Sequence, residues 1–294
     1  MHTSRRTFLK ETAWTLAGTM VFSKDVFALN KGKQILGIQL YSVRDDMKTD
    51  PTGTLKQLAT MGYKYVEHAN YVNRKFYGYS ATEFKKILDD LGLKMPSGHT
   101  VMGKQHWNEG SNSFTDQWKF TVEDAAKVGQ KYVISPSLDE SQRKTYDEVK
   151  RYMDVFNKSG ELCKKWRMKF GYHNHDYEFE QENGKVLYDV LVENTDPSLV
   201  HLELDLGWVI VTGHDPIDYF NKYPGRFPLW HLKDMDIAKK HSVEFGLGGL
   251  DIKKMLNNES KAGMKYFFVE QEEYTSNPAE SMKISMDYLK RLKL

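Results

Sequence analysis

From residue 35 onward, short apolar runs alternate with segments of helical period eight times over, and this alternation limits the fold more than any other feature of the chain. The strand-like runs lie at 35–40, 63–67, 93–98, 131–135, 168–173, 199–205, 227–232 and 265–270. Helices are expected at 52–61, to Leu91, and at 115–128, 146–165, 186–193, 215–222, 251–257 and 277–291. Asp50-Pro51 marks one helix start, Ser80 with Glu83 forms a capping box at another, and Gly92 and Gly129 stop two of the helices. Parallel strands need a crossover, which a helix normally supplies, so the repeat implies a parallel sheet. Eight units favour closure into a (β/α)8 barrel, a single α/β domain over residues 29–294.

An open doubly wound sheet is the competing arrangement. It would carry a glycine-rich phosphate loop after its first strand, where this chain has Tyr41-Ser-Val-Arg-Asp45. The glycine cluster Gly246-Leu-Gly-Gly249 comes late and leads into Asp251, so it reads as a tight turn before a helix cap rather than a nucleotide cradle.

The formal charge is +2, and the first 28 residues account for it, with Arg5, Arg6, Lys10 and Lys24 against Glu11 and Asp25. The rest of the chain is near neutral and lacks the basic surplus of a nucleic-acid binder. Cys163 is the one cysteine, so no intrachain disulfide forms. Ser4-Arg-Arg-Thr-Phe-Leu-Lys10, the apolar run 13–22 and the small-x-small pattern Val26-Phe-Ala28 read together as a twin-arginine export signal over residues 1–28. The apolar run is too short to span a membrane. The expected location is periplasmic or exported, after folding.

In a parallel barrel the C-terminal strand ends share one mouth. His173, Asp205, His231 and Glu270 each close an apolar strand, at intervals of 32, 26 and 39 residues, about one strand-helix unit apart. Two imidazoles and two carboxylates suit one borderline divalent ion, Mn, Zn, Co or Fe. His175 lies two residues beyond His173 and on an extended strand points the same way, so either could bind metal while the other meets substrate; His173, nearer the regular strand, is favoured. Glu67, His99 and Lys233 occupy other strand ends. Asp205 precedes Gly207-Trp208, a turn expected to expose its carboxylate, and helix capping is its other reading. Gln271-Glu-Glu273 reads as a solvated loop. Tyr41, Trp107, Trp208 and Trp230 lie near the mouth, where they either stack on a sugar ring or pack the rim.

The segments Tyr172-His-Asn-His175, Asp205-Leu-Gly-Trp208, His231-Leu-Lys-Asp234, Gly246-Leu-Gly-Gly-Leu-Asp251 and Val269-Glu270, with the opening Gly37-Ile-Gln-Leu-Tyr-Ser-Val-Arg44, resemble the xylose-isomerase-like TIM barrels over about residues 35–290. That superfamily holds sugar phosphate isomerases/epimerases, inosose dehydratases and endonuclease IV. The metal shell of its ketose 3-epimerases, Glu, Asp, His, Glu, implies His173, Asp205, His231 and Glu270 here. Histidine at 173 replaces a glutamate that is also one of their two bases, and Trp208 stands where they tend to carry histidine.

The expected activity is a metal-dependent isomerase or epimerase acting on a keto-sugar through an enediolate, with elimination from a 3-keto-glycoside as the alternative. Glu270, Glu67 and Lys233 are the expected proton-transfer groups, and His175, His99 and Trp208 the expected substrate contacts. A non-catalytic sugar-binding barrel is the third reading. The expected partner is a small carbohydrate, without nucleic acid or a stable membrane span; the sequence leaves the oligomeric state open.

Overall fold

The computed structural model describes residues 36–182 and 184–292; residues 1–28, read above as an export signal, lie outside them. Eight parallel strands follow one another around a barrel in chain order: β1 (Gly37–Gln39), β2 (Tyr65–His68), β3 (Lys94–Gly98), β4 (Tyr132–Ser135), β5 (Lys169–His173), β6 (Val200–Asp205), β7 (Leu229–Leu232) and β8 (Tyr266–Val269). First and last strands pair, with Gly37 opposite Phe268. Between β3 and β4 the ladder narrows to a bridge, His99 opposite Ile134, supported by Thr100 N donating to Ile134 O and Lys131 N donating to Pro96 O. Pro96 has no N–H to offer a ladder.

The main crossover helices are α1 (Pro51–Met61), α2 (Ala81–Asp90), α3 (Asp116–Val128), α4 (Tyr146–Lys165), α5 (Leu187–Glu193), α6 (Pro216–Lys222), α7 (Ile252–Leu256) and α8 (Pro278–Arg291). Two starts follow the sequence signals, with Asp50 accepting from Gly53 N and Ser80 with Glu83 forming a capping box, and α4 starts at a further capping box, Thr145 with Glu148. Among the described residues no helix is long and apolar enough to cross a membrane.

Alternation along the strands makes two apolar layers. Outward residues such as Val66, Leu202, Leu204, Trp230, Leu232 and Phe267 join the large core between strands and helices, where Cys163 of α4 is also sealed. Inward residues Tyr132, Ile134, Leu229 and Phe268, with Tyr65 and Tyr266 against them, fill the barrel. Two glycines make that filling fit. A Cβ on Gly37 would lie 2.7 Å from Phe268 Cδ1, and one on Gly171 would lie 2.6 Å from Ile134 Cδ1.

Four small hairpins not expected from the sequence decorate the barrel: Tyr71–Val72 with Lys75–Phe76, Trp107–Asn108 with Ser113–Phe114, Gln181–Glu182 with Lys185–Val186, and Asp234–Asp236 with His241–Val243. The glycine cluster is a turn, as expected, and its amides are already engaged. Asp234 Oδ2 accepts from Gly246 N (2.8 Å) and Gly248 N (3.1 Å), and Oδ1 from Leu250 N (3.0 Å). Asp251 then caps α7 by accepting from Lys254 N.

Candidate metal centre

The strand period that fills the barrel with apolar rings also carries titratable groups to its C-terminal end. The same-face series are Tyr65 then Glu67 on β2, His201, Glu203 and Asp205 on β6, Leu229, His231 and Lys233 along β7, and Tyr266, Phe268 and Glu270 along β8. His173 ends β5, and His99 follows β3.

His231 stands at the centre. Its Nε2 lies 2.7 Å from Glu67 Oε2 and its Nδ1 lies 2.9 Å from Glu270 Oε2. Gln39 Nε2 donates to Glu67 Oε2, at 2.9 Å. His99 Nε2 lies 2.6 Å from Glu203 Oε2, and His173 Nδ1 lies 3.2 Å from the same oxygen. Lys233 Nζ is shared by Asp205 Oδ2 (3.1 Å), Glu270 Oε2 (2.9 Å) and Glu272 Oε1 (2.6 Å). Its ammonium also lies 4.7 Å from the Trp208 ring centroid.

Burial and partners sort these groups by charge. Burial opposes the charged forms of His231 and Lys233, but surrounding carboxylates outweigh it and hold both well above their ordinary values. Burial lowers His99 and His175 to about 4 and carries His173 well below the usual imidazole range. It lifts Glu203 to about 7. Burial works against ionised Glu270 too, yet Lys233 and His231 hold it well below the usual carboxylate range, whereas burial keeps Glu272 above it. Two carboxyls on one lysine are thus pushed apart.

Two sets of donor atoms lie within 4.8 Å of one another: His173, Asp205, His231 and Glu270, and also His99, His173, Glu203 and His231. The first is the set expected from the sequence. His175 belongs to neither; it lines the cavity outside, its ring parallel to that of Tyr177 at 6.1 Å. Several buried atoms here have no hydrogen-bond partner: Glu67 Oε1, His173 Nδ1, Glu203 Oε1 and Asp205 Oδ2. Asp205 Oδ2 faces Lys233 off the hydrogen-bond direction. Such a concentration of unpaired donors is costly without an ion to coordinate, and nitrogen with carboxylate oxygen is the chemistry a borderline divalent ion takes. The residues fit the metal.

Several expectations change. Asp205 is fully buried rather than exposed by a turn, and Oδ1 caps the short helix Leu206–Val211 by accepting from Trp208 N, leaving Oδ2 for the centre. Of the acids in the loop after Glu270, Glu273 is exposed as expected, accepting from Ser242 N, whereas Glu272 is half-buried and binds Lys233. Trp230 points outward and stacks on Phe220 at 5.0 Å, and Trp107 packs edge-on against Phe114, so neither faces a sugar. Tyr41 lines the cavity, while Trp208 sits beside His175 at 6.1 Å. Glu203 is a member of the site that the strand-end pattern misses, although the two-residue parity applied to His173 and His175 places it on the same face as Asp205.

The centre opens into a cavity of about 1070 Å³ whose lining includes His99, His173, His175, Glu270 and Glu272.

The family model for xylose isomerase-like TIM barrels matches residues 55–292. The inosose dehydratase of Clostridium tetani is 31% identical over 288 residues, covering 85% of this chain and 94% of the relative. A crystal structure of a sugar phosphate isomerase/epimerase from Parabacteroides distasonis is 30% identical, with a TM-score of 0.76 over 87% of this chain and 97% of that one. The IOLI protein, solved with a bound zinc atom, shares the fold at 15% identity and a TM-score of 0.68, covering 88% of this chain and 98% of its own.

Proposed function

Because the chain belongs to the xylose isomerase-like TIM barrel family, we propose that it is a metal-dependent carbon–oxygen lyase that removes water or an alcohol from a keto-polyol or keto-sugar. This reverses the order expected from sequence, where isomerisation or epimerisation comes first. The inosose dehydratase name of the Clostridium tetani relative supports the change. So does His173 in place of the epimerases' second carboxylate base.

One observation carries the reading: Lys233 bridges two carboxylates that both line the cavity, Glu270 at 2.9 Å and Glu272 at 2.6 Å. Elimination requires one group to take the proton α to the carbonyl and another to give a proton to the departing oxygen. Glu270 takes the first, Glu272 gives the second, and Lys233 passes a proton from one to the other. The C–H electrons form the new C=C bond as the β C–O bond breaks, and the oxygen leaves as water or alcohol. The net loss is one molecule of that product, and the residues return to their starting protonation.

His173, Asp205, His231 and Glu270 would hold a divalent ion, which would supply Lewis-acid chemistry beside the substrate carbonyl. This donor set brings two carboxylates, enough to balance a dication, where the other set brings one. Gln39 and Glu67 fix the His231 ring through its Nε2 side. His99, His175 and Trp208 line or flank the space for the remaining hydroxyls. The reading of residues 1–28 as an export signal supports a site of action outside the cytoplasm and, with it, free rather than phosphorylated sugars as substrates.

Incubation in D₂O with Mn²⁺, Co²⁺ or Zn²⁺ and a panel of inososes and 3-keto-glycosides is expected to give elimination. Glu272→Gln is expected to keep α-hydrogen exchange while losing elimination by roughly 10²-fold or more. Absence of both exchange and elimination with every metal sinks the reading, and α-exchange with a rearranged, uneliminated product moves it to isomerisation.

A further inference from the structure

The cavity at the metal centre has two unlike sets of lining residues. Besides the histidines and carboxylates, it is lined by the exposed side chains of Val72 (58% exposed), Val101 (43%), Tyr41 (42%) and Phe120 (39%). Among the described residues these are four of the eight large apolar side chains left exposed. Their gathering around one cavity marks a binding surface.

This apolar set is built rather than incidental. Asn73 and Arg74, at φ 51° and 62°, turn the hairpin that carries Val72. Asp124 of α3, itself buried, then ties the hairpin down: it accepts from Tyr71 Oη at 2.7 Å and from Arg74 at 2.8 Å through Nε and 2.7 Å through Nη2. The Arg74 guanidinium lies 4.1 Å from the Phe120 ring centroid, which joins hairpin and helix into one face.

Size and charge name the occupant. Pockets of about 300–1,000 Å³ hold drug-sized ligands, and a single six-membered keto ring is far smaller. The 1070 Å³ here exceeds what such a ring fills. Arg74 is the one lysine or arginine among the cavity-lining residues, and its fork is taken by Asp124 in the bidentate geometry a phosphate would need.

We infer that the substrate is an uncharged keto-carbohydrate bearing an apolar or aromatic substituent remote from its carbonyl, as in an aryl glycoside, and that Tyr41, Val72, Val101 and Phe120 form the subsite for that substituent. The inference rests on the metal centre being the reactive end.

Calorimetric titration with phenyl and methyl β-glucosides, which lack the ketone and do not react, tests the apolar set apart from catalysis. Phenyl glucoside is expected to bind roughly tenfold more tightly, a gain of the size one buried apolar group brings, and Phe120→Ala and Val72→Ser are each expected to reduce that ratio toward one. Turnover of the phenyl and methyl 3-keto-glucosides and of the methyl 6-phosphate ester should show the same order, with the ester disfavoured. Equal binding of the two glucosides, a preference for the ester, or ratios unmoved by both variants overturns the subsite. So does a dimer that sediments as monomer after Val72→Ser, which would make the apolar set a contact between copies of the chain. If no ketone turns over while the binding preference holds, the lyase reading falls and the subsite stands.

Discussion

Glu178 shows how one side chain fixes the loop beyond β5. It is buried, takes a hydrogen bond from the Tyr172 hydroxyl, and accepts from His175 N at 2.8 Å, so it holds the backbone of the residue that lines the cavity. Burial pushes its carboxyl up to about 7 from 4.5. The folded state therefore binds this proton more tightly than the unfolded chain, and the stability it lends is complete below about pH 4.5 and lost as pH rises through about 7. In metal-free protein, Glu178→Gln should gain on the wild type between pH 5 and pH 8, by an amount on the order of 2–3 kcal/mol in urea unfolding; a gap that does not change with pH contradicts this. The same scale shows what sequence reveals of a site. Strand parity is written in the chain, and parity alone brings His173, Asp205, His231 and Glu270 to one mouth. Partnership is not: Lys233 reaches Glu272 across a turn that reads as ordinary solvated acid, and Glu203 is hidden inside an apolar-looking run.

At the level of elements, the helix signals are legible because each is local. The Ser80–Glu83 capping box and the two glycine stops place α2 and α3 within a residue or two of their observed ends. The four hairpins are not, since two-residue strands are too short to show a period and their pairing depends on contacts from elsewhere. The loop from Gly246 to Leu250 is a case where the type is legible and the cause is not. It is shaped by a carboxylate twelve or more residues earlier, Asp234, which also accepts from Met235 N at 3.0 Å. Asp234→Ala should strand these amides and cost on the order of 2–4 kcal/mol, with Asp234→Asn intermediate, because an amide offers one acceptor oxygen in place of two. Chemical denaturation of the three proteins checks the ranking, and an alanine variant as stable as the wild type rules out this account of the loop.

For the whole molecule, the count of eight strand-helix units is enough to anticipate the closed barrel, and the missing glycine loop after β1 is enough to set aside the open sheet. The core's division into two layers follows from the same alternation, which is why Trp230, one residue from His231, belongs to the outer layer. A ligand that binds only the folded barrel stabilises it by mass action, about 2.7 kcal/mol at a hundred times its Kd. Adding Mn²⁺, Co²⁺ or Zn²⁺ to chelator-treated protein should therefore raise Tm by roughly 5–10 °C, and Asp205→Asn should abolish most of that rise. No shift with any of the three ions in wild-type protein removes the metal centre. The barrel also carries its own reporter. Cys163 is the one thiol in the chain, sealed beneath α4, and burial pushes it up to about 12, so at neutral pH it reacts neither by access nor as thiolate. Its rate of modification by a thiol reagent consequently times the parting of α4 from the strands, giving a built-in clock for the opening of the barrel.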